Sequence, residues 1–72
     1  MTRQEHLDWA KSRALEYVDR GQSQEGLTSM FSDLSKHDEL KNHKGIEIGV
    51  MLMLFGNLRT PNDARHFIEG FH

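Results

Sequence analysis

The 72-residue chain contains no cysteine, one proline, no long apolar run and no excess of either charge. Without cysteine there are no disulfides, so packing alone must hold a small fold, and a reducing compartment fits. The longest apolar stretch, Val50 to Phe55, is six residues, whereas a membrane-spanning helix needs about 20. The first twenty residues mix acidic and basic side chains with no apolar run. A secretory signal is therefore not expected, and the chain reads as soluble and cytoplasmic. The formal net charge is −2. That speaks against a non-specific nucleic-acid binder, whose affinity comes mainly from a basic excess, and against an acidic DNA mimic.

What is present is helical periodicity in four blocks. Thr2 and Glu5 have the spacing of a capping box. Leu7, Ala10, Ala14, Tyr17 and Val18 then recur at helical intervals, widened by Trp9 and Leu15, and Arg20-Gly21 supplies a stop. This predicts a helix over 3–20. Ser23 as N-cap, Glu25 in the first turn and the face Leu27, Met30, Phe31 and Leu34 predict a second over 23–36. The short break at Gly21-Gln22 makes the two an antiparallel hairpin.

Residues 37–44 are polar apart from Leu40 and read as a loop with room for one helical turn. From Ile46 to Phe55 only Glu47 and Gly49 interrupt the apolar side chains. A buried strand has no partner elsewhere in the chain, so the segment reads as a helix over 44–55, apolar on all sides and hence buried on all sides. Gly56 ends it. Thr60-Pro61 is a strong helix start, and Ala64, Phe67, Ile68 and Phe71 give the stripe of a fourth helix over 61–69.

The expected fold is a single all-α domain over 1–72, a compact four-helix bundle with the third helix as its buried spine. The hairpin covers one side of that spine and the fourth helix the other. The expected core is Leu7, Ala10, Ala14, Tyr17, Val18, Leu27, Phe31, Leu34, Ile46, Val50, Leu54, Phe67 and Ile68. Truncation of Phe31 or Leu54 to alanine is then expected to cost roughly 2–5 kcal/mol.

No catalytic constellation is legible. Ser29, Ser32 and Ser35 fall on the polar side of the second helix, and the carboxylates of Glu5 and Asp8 lie a turn apart on a solvated face. Gly45, Gly49 and Gly56 accompany an apolar helix and do not follow a strand, so they form no phosphate loop. The five histidines lack zinc-ligand spacing, although His37, Asp38, Glu39 and His43 cluster on the linker. No enzyme activity, cofactor or metal is expected. Gly45 and Gly49 instead point to close backbone approach, either against the first helix or against a symmetry mate.

Residues 9–37 resemble one tetratricopeptide-type hairpin. Trp9, Tyr17, Gly21, Gly26 and Met30 stand near that family's marked positions. The usual alanine is glycine, however, Asp38 replaces the closing proline, and no second repeat follows. Over nearly its whole length the chain is similar to small proteins of actinobacterial bacteriophages. Residues 2–10, 32–37 and 65–71 carry that likeness. It brings no catalytic or binding residue, and it implies a phage gene product in the host cytoplasm acting on a host or phage protein.

Three functions follow as expectations. The first is a protein-binding accessory module using leftover apolar surface at Trp9, Met51, Met53 and Phe71. The second is a homodimer that completes the burial of the third helix between subunits. The third is a nucleic-acid accessory with Lys36, Lys41 and Lys44 on phosphates, set against interleaved Asp38 and Glu39.

Overall fold

The computed structural model describes residues 2–72. Four helices follow in order: α1 over Arg3–Asp19, α2 over Ser23–Ser35, α3 over Lys44–Leu54 and α4 over Pro61–Gly70. No strand occurs among the described residues. Each boundary lies within a residue of the one predicted from spacing and caps. The radius of gyration is 11.1 Å, which matches the ~11 Å of a close-packed chain of this length.

The helix ends show why the elements start and stop where they do. Thr2 and Glu5 form the reciprocal capping box, and the Thr60 hydroxyl accepts from the Asp63 amide with Pro61 in the first turn. Glu5 is held below the usual carboxylate range, chiefly by its bond from the Thr2 backbone amide. Gly21 and Gly56 both take positive φ, +78° and +77°. At each, the glycine amide and the next one bond back into the last turn: Gly21 to Val18 and Gln22 to Tyr17, then Gly56 to Met53 and Asn57 to Leu52. These are paired Schellman closures. Ser23 is not the cap expected of it. Gln22 occupies that position without a side-chain bond, and Ser23 is buried inside the first turn of α2.

The most extensive contact is between α1 and α2, and α4 packs across both. A β-carbon on Gly26 would lie 2.8 Å from the Ala14 carbonyl oxygen and 3.0 Å from the Tyr17 β-carbon, so glycine lets the hairpin close. The Lys11 ammonium donates to the carbonyls of Glu69 and Phe71 at 3.1 and 2.8 Å and ties down the end of α4. Arg65 pairs with Asp19, and Gln24 donates to the Leu58 carbonyl. The core contains the expected Leu7, Ala10, Ala14, Val18, Leu27, Phe31, Leu34 and Ile68. It also contains Met30, Leu40, Leu58, Ala64 and Phe71. Leu40 and Leu58 come from the two connections and plug the ends.

The position of α3 departs from expectation. It lies at the edge of the molecule, resting on α2, and the hairpin occupies the centre in its place. Within this helix Gly49 alone is buried. Val50 and Leu54, expected in the core, are 41% and 79% exposed, and Tyr17, Ile46 and Phe67 are half-buried. The cause is the demand of the other three helices for one another: they close a core with no fully buried large residue from α3, whose Ile46, Leu52 and Met53 pack half-buried against it.

Two glycines seat α3. A β-carbon on Gly49 would run into the Phe31 ring and lie 2.9 Å from Phe67 Cζ; one on Gly45 would lie 2.7 Å from Phe71 Cζ. The rings form an edge-to-face ladder, Phe31 to Phe67 at 6.1 Å and Phe67 to Phe71 at 5.8 Å between centroids. The close approach inferred from these glycines is present, but toward α2 and α4 and not toward α1. Gly56 takes no part in it.

Phe31→Ala removes a buried ring beneath Gly49 and is expected to lower unfolding free energy by about 3–5 kcal/mol. Leu54→Ala, in dilute solution, is expected within about 0.5 kcal/mol of the parent; urea midpoints compare the two. Gly49→Ala is expected to destabilise by about 1–3 kcal/mol through the ring clash. Gly70→Ala meets open space and is expected to be neutral or stabilising by up to about 1 kcal/mol in a thermal melt.

Candidate functional site

The outer face of α3 is the main surface feature. Ile48, Met51, Leu54 and Phe55 are 53%, 54%, 79% and 72% exposed, and Val50 adds to their edge. Gly45 and Gly49 fix the inner face, so the helical repeat puts Ile48, Met51 and Phe55 in one outward line with Leu54 beside them. Lys44 and Glu47 stand at the amino end of this line, both exposed. The apolar side chains together expose on the order of 500 Å², which reaches the size of the largest patches on monomeric proteins. A groove of about 480 Å³ runs along its margin between α2 and α3, walled by Phe31, Ile46, Val50, Met53 and Leu54 with the serines of α2 opposite.

The residues expected to form a partner surface divide. Met51 lies in the middle of the patch, and Met53 turns inward to the groove wall. Trp9 is half-buried on α1, with the Arg13 guanidinium 5.0 Å from its ring centroid and His6 edge-on at 5.3 Å. Phe71 is buried at 5% and belongs to the core. The structure thus does not bring these four together. The sequence places Ile48, Leu54 and Phe55 in the interior, because an all-apolar segment gives no sign of which side stays wet; the structure exposes them.

The expected phosphate contacts are partly committed elsewhere. Lys36 Nζ lies 3.7 Å from Asp33, and Lys41 Nζ lies 3.6 Å from Asp38. Lys44 has no carboxylate within 4 Å among the described residues.

Asp33 is a buried acid that the sequence pattern did not single out. Its side chain is 5% exposed, and Arg13 Nε lies 3.1 Å from Oδ2. The His6 ring donates from Nε2 to the Asp33 carbonyl at 2.6 Å and lies 5.0 Å from the His37 ring. This group clasps α1 to α2 at the end opposite Gly21. His43 caps α3: its Nδ1 accepts from the Gly45 amide at 2.8 Å, which leaves Nε2–H to donate to the His72 carbonyl at 2.8 Å. Among the described residues, no three His, Asp or Glu side chains converge as metal ligands. No helix among the described residues is long and apolar enough to cross a membrane.

Comparison with protein-family models, curated proteins and solved structures finds no match to this chain.

Arg13→Ala would leave the buried carboxylate with only the distant Lys36 and is expected to cost about 1–3 kcal/mol. Lys41→Ala, which removes an exposed pair with Asp38, is expected to cost under about 0.5 kcal/mol. Chemical denaturation of both variants checks the contrast.

Proposed function

We propose that this chain is a small polypeptide-binding module, without catalysis, that buries the outer face of α3 against another protein. The observation that carries this is the exposure of Ile48, Met51, Leu54 and Phe55 along one side of a helix whose core is complete without them. At about 25 cal/mol per Å² of apolar surface, covering such a patch releases on the order of 10 kcal/mol before costs. Association itself costs about 4–15 kcal/mol. The balance turns favourable only if the partner brings a comparable apolar face, as another helix or a helix-lined groove does. The all-round burial that the composition of α3 demands is thus completed between molecules.

Nucleic acid fits less well, since the net charge is −2 and Lys36 and Lys41 stand beside carboxylates. On the resemblance to small phage proteins read from residues 2–10, 32–37 and 65–71, the proposed partner is a host or phage polypeptide in the bacterial cytoplasm.

A photo-crosslinking residue at Met51 or Phe55, in cells that make the protein, is expected to give protein adducts. The same residue at exposed Ser12 on α1 is expected to give none. Equal labelling at all three positions, or none at any, would overturn the reading.

A further inference from the structure

We infer that the polypeptide seated on α3 is a second copy of this chain, with the two α3 helices antiparallel across a two-fold axis near Met51. The inference rests on the association reading above and adds the identity and direction of the partner.

Three observations support it. The first is the asymmetry of the face along its length. Lys44 and Glu47 stand at the amino end, while Leu54 and Phe55 hold the carboxyl end. A parallel copy would set Lys44 against Lys44 and Glu47 against Glu47. An antiparallel copy sets each charged end over the partner's last turn. There lies the negative end of the helix dipole, and α3 has no basic residue of its own in that turn. Lys44, with no carboxylate within 4 Å among the described residues, suits that position, with the exposed Phe55 ring beside it as a further cation site. Glu47 arrives at the end where Arg59 folds back over Gly56.

The second is self-complementarity. A two-fold contact requires one patch to match itself, residue i on j and j on i. With Met51 on the axis, Ile48 of each copy faces the Leu54–Phe55 end of the other, and the flexible thioethers fill the centre.

The third is area. Two such patches of about 500 Å² bury about 1,000 Å² of apolar surface in total, the lower bound for a specific interface. The polar rim at Lys44 and Glu47 and the margin of the α2–α3 groove adjoin the patch and add to that area.

Because the chain lacks cysteine, single cysteines report cleanly. In sedimentation equilibrium at tens of micromolar the parent is expected at twice 8.4 kDa. Leu54→Asp is expected at the single-chain mass with unchanged helical circular dichroism. Under mild oxidation Met51→Cys is expected to form a disulfide-linked pair, its two copies meeting at the axis. Lys44→Cys is expected to stay unlinked, since its copies lie roughly 20 Å apart along the helices, beyond the ~7 Å reach of a disulfide. A single-chain mass throughout, or linkage at position 44 as fast as at 51, would overturn the inference. A single-chain mass together with photo-adducts of other sizes would sink the dimer and leave the association reading standing. The absence of any adduct would remove both.

Discussion

Gly49 has no β-carbon, and the Phe31 ring occupies the space that one would take. On that contact depend the seat of α3, the orientation of its side chains and the character of the surface it presents. Any larger residue would lift the helix from the Phe31–Phe67–Phe71 ladder. With glycine there, and again at Gly45, the backbone itself is the packing surface. The helix therefore buries none of its large side chains fully: Ile46, Leu52 and Met53 pack half-buried against the core, and the others remain on the other side.

The rest of the molecule explains why that is tolerated. A chain of this size has one core, and Leu7, Leu27, Met30, Leu34 and Ile68 fill it from α1, α2 and α4. Leu40 and Leu58 close the ends, and polar ties at Lys11, Arg13 and Arg65 hold the three helices in register. Little volume is left for Val50, Met51 or Leu54. Excess apolar side chains in a small domain must stay wet or find cover from another molecule.

The elements were legible because their signals are local. Thr2 with Glu5, Thr60 with Pro61, and Gly21 and Gly56 fix helix ends through hydrogen bonds spanning three or four residues, and the structure keeps each of them. The placement of α3 was not legible. Periodicity identifies the buried side of an amphipathic helix, but Ile46 to Phe55 is apolar on every side and hides that information. The two glycines did announce close approach, yet sequence spacing says nothing about whether Phe31 or α1 would supply the partner surface. Asp33 was missed for a similar reason: one acid among polar neighbours on α2 looks solvated until Arg13 is brought across from α1. Leu40 and Leu58 sit in connections, where no repeating pattern exists to mark them as interior.

The peripheral seat of α3 divides the molecule into parts of unequal cohesion. The α1–α2–α4 unit contains nearly all of the interior, while α3 is held by the aromatic rings, the half-buried Ile46, Leu52 and Met53, the His43 cap and two short connections. Detaching it would uncover Phe31, Phe67 and Phe71 but leave the contacts among α1, α2 and α4 in place, so its opening is a smaller event than global unfolding. This helix is therefore the natural place for amide protons to exchange first. Whatever occupies its outer side also clamps it shut, making occupancy and local order one and the same equilibrium.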